Sequence, residues 1–135
     1  MSKSNIYEND LMLFTFNATA ISGIGSNLFI SLHSADVGEA GNQTTSEISY
    51  TGYSRVSVPR DNTGWTVVAN NAINAAQILF GICTAGTATA THWAIGTSST
   101  GAGKVLYKGA LNSSLAISLN IQPIIGANAL SISED

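Results

Sequence analysis

Charge is what this chain has least of. Charged side chains make up 10% of its 135 residues, against roughly 25% in an average soluble protein. Ser, Thr, Asn, Gly and Ala stand in their place. A surface of small neutral groups has little repulsion to hold molecules apart, which suits a protein that works packed against others. Basic residues are scarcest: five Lys and Arg, spread from Lys3 to Lys108, within a net charge of -3. Phosphate backbones require clustered cations, so no nucleic-acid partner is expected. Cysteine is nearly absent, and the single Cys83 excludes an intramolecular disulfide. In Phe80-Gly81-Ile82-Cys83 it reads as a small buried hydrophobe. No apolar run approaches the roughly 20 residues that span a bilayer, so no membrane partner is expected. Met1-Ser2-Lys3-Ser4-Asn5 lacks the basic region and apolar core of a signal peptide. The sequons at Asn17, Asn42 and Asn112 then read as chance.

What remains is enough to fold. Hydrophobic residues make up 44% and mean hydropathy is positive, which excludes disorder by composition. A chain of this length fits one domain and buries about two-thirds of its unfolded surface.

Residues 1–27 read differently from the rest. Ser4 or Asn5 is placed to cap a short helix, with Glu8 and Asp10 near its positive end. Leu11, Phe14 and Ala18 share one side, widened by Leu13 and Phe16; an extended arm is the other reading. Gly23 and Gly25 then break any helix. Residues 28–135 read as a single all-β domain, an antiparallel β-sandwich or jelly roll of about eight short strands. Leu28, Ile30 and Leu32 share a face. Tyr53 to Val58 alternates until Pro59, which ends the strand or holds it at an edge. Asp61-Asn62-Thr63-Gly64 is a turn, after which Trp65 and Val67 point together. Asn70 to Ala76 favours strand and turn over helix. Ile78, Phe80 and Ile82 alternate, Thr84 to Thr91 suits a loop or an edge, and Thr91, Trp93 and Ile95 alternate again. Gly96 to Gly103 is a turn. Gly109 and Asn112-Ser113 mark a further reversal, and Leu115, Ile117, Leu119 and Ile121 give the cleanest period of two. Leu130 and Ile132 close the fold.

The polar loop from Ser34 to Glu47 holds several of the few acidic residues, and it is the natural place to look for chemistry. A metal site would need His33 and His92 with Asp36 or Glu39. Two histidines without ligand spacing usually serve structure, and His33 bracing the loop is the plainer reading. Asp36-Val37-Gly38-Glu39 is too short for a calcium loop. Asp36 and Glu39 as an acid–base pair on a glycan yield to a solvated loop with an Asx turn before Gly38. Gly101-Ala102-Gly103-Lys104 lacks the first glycine and the Ser/Thr of a phosphate loop. Neither Cys83 nor any serine sits in a nucleophile elbow. No cofactor is expected. Tyr50 and Tyr53, flanking Thr51-Gly52, are the best aromatic contact candidates, with core or edge packing as the alternative.

Leu32-His33-Ser34-Ala35-Asp36-Val37-Gly38-Glu39-Ala40-Gly41, Glu47, and Tyr50-Thr51-Gly52-Tyr53-Ser54-Arg55-Val56 together resemble a family of small tailed-phage virion proteins. Its members are variously labelled head decoration (cement) or tail-fibre proteins. Gly64 to Val67, Ala94 to Thr97, Gly101 to Leu111 and Leu130 to Asp135 extend the likeness over most of the chain after Leu28. Val37 departs from it, standing where the family usually has proline. The resemblance implies a β-sandwich or jelly-roll subunit that oligomerises on a capsid, with no catalytic residues. The expectation is therefore a non-enzymatic decoration protein. It would be made in the host cytoplasm and held on the outer head surface by the major capsid protein and by itself, as a homo-dimer or homo-trimer. Contact candidates are the N-terminal arm and Asp36, Glu39, Glu47, Tyr50, Tyr53 and Arg55. The alternative is a tail-fibre or receptor-binding module that grips a host surface glycan.

Overall fold

The computed structural model describes residues 1–135 as an antiparallel β-sandwich with one short helix. Its elements are β1 (Ser2–Lys3), α1 (Asn5–Asn17), β2 (Asn27–His33), β3 (Val56–Pro59), β4 (Trp65–Val68), β5 (Asn71–Asn74), β6 (Ile78–Leu79), β7 (Ala88–Gly96), β8 (Val105–Ile117), β9 (Ile124–Ile125) and β10 (Ser131–Ser133). A five-stranded sheet runs β1-β8-β7-β2-β3; facing it are a three-stranded sheet, β10-β5-β4, and a two-stranded ribbon, β6-β9. None of the three closes into a barrel. Several strands are only two residues long, which is why ten appear where about eight were expected.

Alternation builds the core. Ile30 and Leu32 from β2, Trp93 and Ile95 from β7, and Val58 from β3 meet Trp65, Ile78, Phe80, Cys83, Leu130 and Ile132 from the facing layer. The opposite face of β2 is also covered: Ser31 and His33 are fully buried. Their cover is the 34–47 loop, whose Val37 packs with Ala94 and Val105 in a second, smaller cluster. The central strands are thus enclosed on both faces, by a sheet on one side and a loop on the other.

The main strand assignments hold, with instructive exceptions. No reversal occurs at Gly109 or Asn112-Ser113. One strand, β8, runs through all three, although its register on β7 breaks there, passing from Ala110 opposite His92 to Leu115 opposite Ala90, and Gly109 is there because a Cβ would press into the Trp93 indole. Period-two alternation continues past the end of β8, but Ile117 is its last residue; Asn120, at φ 68°, turns the chain, and Leu119 and Ile121 are exposed. Ile82 is exposed too, with Cys83 buried in its place. The strand expected from Tyr53 begins only at Val56, because Gly52, at φ 105°, folds Tyr53 back to donate its N–H to the Tyr50 carbonyl. Of the 84–91 run, only Thr84 to Thr87 lies outside β7.

The helix forms where expected, and for the expected reason. Ser4 caps it by accepting from the Tyr7 N–H, and Glu8 lies in its first turn. Its packing is not as expected. No residue of α1 is buried, and Ala18 is the left-handed cap rather than part of an apolar stripe. The segment before it is tied into the domain: β1 is the edge strand on β8, the buried Ser4 hydroxyl donates to the Val105 carbonyl, and the Asn5 N–H donates to the Glu39 carbonyl.

Candidate contact surfaces

The polar loop is a braced structure. His33 holds its far end: Nδ1 lies 2.8 Å from the Thr45 carbonyl and Nε2 lies 2.8 Å from the Ser31 hydroxyl. Burial lowers the His33 pKa, against the pull of the Thr45 carbonyl, so the ring is neutral and its Nδ1–H donates to Thr45. Gln43 holds the middle. Its fully buried side chain accepts from the Ser98 N–H at 2.9 Å. It lies where a Cβ on either Gly96 or Gly103 would stand, so both positions exclude any larger residue. Asp36 makes the expected Asx turn, accepting from the Gly38 N–H at 2.9 Å.

The structure divides the six contact candidates in two. Glu47, Tyr53 and Arg55 converge. Arg55 grips Glu47 in a two-pronged ion pair, Nε to Oε1 and Nη2 to Oε2, both 2.8 Å, with only 3% of its side chain exposed. Its remaining N–H groups reach the Ser98 and Gly101 carbonyls. The Tyr53 hydroxyl donates to Glu47 and accepts from the Leu32 N–H; burial keeps that phenol protonated. Tyr50 belongs to the core, its ring edge-on to Tyr53 and its hydroxyl donating to the Gly81 carbonyl at 2.7 Å. These four spend their polar groups inside the molecule. Asp36 and Glu39, by contrast, are exposed and share one partner, Lys108, at 3.1 and 2.9 Å. The Asp36 carboxyl is held below its usual range by the Gly38 N–H and Lys108, and that of Glu39 by Lys108.

Two further surfaces are more open, the second of them on the N-terminal arm that the sequence put forward for contact. One is a groove of about 750 Å³ between the two larger sheets, walled by Leu28, Trp65, Val67, Ile95, Tyr107 and Ile132. The other is the C-terminal half of α1. Tyr7 packs edge-on against Tyr107, with centroids 5.5 Å apart, and fixes which side of the helix faces the domain. Phe14, two helical turns further along that side, is nonetheless 57% exposed, and Phe16 is 73% exposed. The end of the helix therefore overhangs the sandwich. Lys104 tethers its base, pairing with Asp10 and donating to the Ser22 carbonyl at 3.0 Å. Met12, Phe14 and Phe16 thus stand in solvent on the last two turns of the helix, without cover within the chain.

Residues 2–133 match the model of a family described as podophage GP4 fiber I protein gp80. The chain belongs to that family. No curated protein matches it. The match reaches from β1 to β10, across the whole sandwich and the helix. Membership makes the chain a bacteriophage structural protein and a component of the virion. No helix is long and apolar enough to cross a membrane.

Proposed function

We propose that this chain is a non-enzymatic structural subunit of a phage fibre. The observation that carries this reading is the family match across nearly the whole chain, to a protein described as a fibre component. The geometry supports it. Glu47 is bound by Arg55 and Tyr53, and Asp36 and Glu39 are shared by one lysine, so the acidic loop presents no free acid–base pair. Open apolar surface on α1, by contrast, suits docking on another protein.

Decoration of the head through the major capsid protein is the second reading, favoured by the neutral, Ser- and Thr-rich surface that multivalent shell binding uses. A glycan-gripping tip is weaker, because Tyr50 and Tyr53 are occupied within the fold. Quantitative mass spectrometry of purified virions, with gold-labelled antibody in electron micrographs, tests the choice. A fibre subunit appears in a few to a few tens of copies, with label at the fibres. Hundreds of copies, with label over the head surface, would replace this reading with decoration.

A further inference from the structure

Sheets of unequal size leave the sandwich open on one side. Across the three-stranded sheet, Val67, Ala72 and Ile132 stand in register in one row, and the small Ala72 leaves the middle of that row shallow. Opposite them are Leu28 of β2 and the register partners Ile95 and Tyr107 of β7 and β8. Between the two rows lies the groove of about 750 Å³, within the range of roughly 300–1,000 Å³ that small-molecule sites occupy. Eleven of its 17 lining residues are hydrophobic, so whatever fills it is mostly apolar.

One polar atom in that wall is unmatched. Trp65 shares with Val67 the face of β4 that turns toward the five-stranded sheet, as residues two apart on a strand do. It is 8% exposed, and its buried indole Nε1–H meets no acceptor anywhere in the chain. A buried indole N–H usually finds a partner, because a donor stranded away from water destabilises the fold that hides it. The charged groups of the groove are already engaged. Asp61 accepts from the Thr63 N–H and hydroxyl. Glu134 accepts from Lys3 and Tyr107, and Arg60 donates to the Gly25 carbonyl.

We infer that this groove binds a small, uncharged acyl compound, an apolar body carrying an ester or amide carbonyl, and that the Trp65 indole donates to that carbonyl. The stranded atom is a donor, so the ligand must bring an acceptor, which a plain hydrocarbon lacks. A carboxylate would bring one, but only by burying an anion in a groove whose lining holds two carboxylates and one cation. A sugar brings many hydroxyls, and so apolar a wall leaves most of them without partners. The inference goes beyond the structural-subunit reading and does not depend on it.

Proton–nitrogen correlation NMR of the full chain tests it. The sequence has two tryptophans, and Trp65→Phe assigns their indole signals. Trp93 lies against Gly109 and is no part of the groove, so its signal is an internal control. Titration with methyl hydrocinnamate is expected to move the Trp65 indole signal downfield and slow its exchange with water, leaving Trp93 unmoved. Butylbenzene, a similar apolar body without an acceptor, is expected to bind about tenfold more weakly, as the loss of one buried hydrogen bond implies. The hydrocinnamate anion is expected to bind more weakly than its ester. Val67→Asp charges the groove wall at a position 68% exposed; it is expected to abolish the shift while circular dichroism shows the fold kept. A Trp65 signal unmoved up to the solubility of the ester overturns the inference. So does butylbenzene binding as tightly as the ester, tighter binding of the anion, or a shift that survives Val67→Asp. Because the titration uses the isolated chain, any of these leaves the structural-subunit reading standing.

Discussion

At the scale of single residues, the chain's few ionisable groups are used to hold the polar loop down. Arg55 and Glu47 show the cost of such a choice. Taking two charges out of water is expensive, and it is offset only where geometry and further hydrogen bonds are complete. Here they are: the guanidinium makes two bonds to the carboxylate and one to each of two carbonyls. His33 uses a different device, burial in the neutral form, and that has a consequence for pH. Burial depresses its pKa below 6.5 in the folded state, while the unfolded chain keeps roughly 6.5. As pH falls through 6.5 the unfolded state therefore binds the proton first, and stability falls until the folded pKa is reached. Above 6.5 the contribution is fully present. The lowered carboxyls of Asp36 and Glu39 add to acid lability only further down, below about 4.5. The melting temperature is expected to drop between pH 7 and pH 5, and His33→Asn, which cannot gain a proton, is expected to flatten that drop. Scanning calorimetry across the range checks it; an unaltered slope in the variant would remove His33 as the cause.

At the scale of elements, period-two alternation located the long core strands, and failed wherever another constraint used the same residue types. Glycine is the clearest case. Gly52 turns the chain, as its sequence context suggests; Gly109 sits inside a strand because an indole lies against it; Gly96 and Gly103 leave room for Gln43. A sequence cannot distinguish glycine kept for φ from glycine kept for space. The placement of three contact candidates escaped the sequence for a related reason. Tyr50, Tyr53 and Arg55 follow a polar loop, which reads as surface, yet the loop folds back over β2 through Val37 and Gln43 and takes them inside. No local pattern announces that return. Gln43 is the signal that could have been weighed, standing as it does between glycine-rich segments distant in sequence. Alanine at Gly96 or Gly103 is expected to cost about 1–3 kcal/mol by overpacking. Gln43→Ala, which removes the obstructing side chain, is expected to recover part of that loss in the double variant, although alone it strands the Ser98 N–H. Urea midpoints at constant m-value give the cycle, and strict additivity would show that the three positions do not meet.

At the scale of the whole molecule, separating charge from exposed aliphatic surface makes a testable difference to how copies respond to salt. Exposed charges attract or repel over a Debye length, about 8 Å at physiological ionic strength. An interface formed among the charged groups would therefore weaken or strengthen steeply with added salt. An interface at the β6-β9 ribbon would be made by side chains that carry no charge themselves. Its driving force is apolar burial, which sulfate and other excluded salts strengthen. Self-association is accordingly expected to be nearly flat between about 50 mM and about 500 mM sodium chloride, where the Debye length shrinks roughly threefold, and to tighten in sodium sulfate at matched ionic strength. Sedimentation equilibrium in the two salts measures both effects. Association that collapses in sodium chloride would place the contact among Lys104, Lys108 and their carboxylate partners instead.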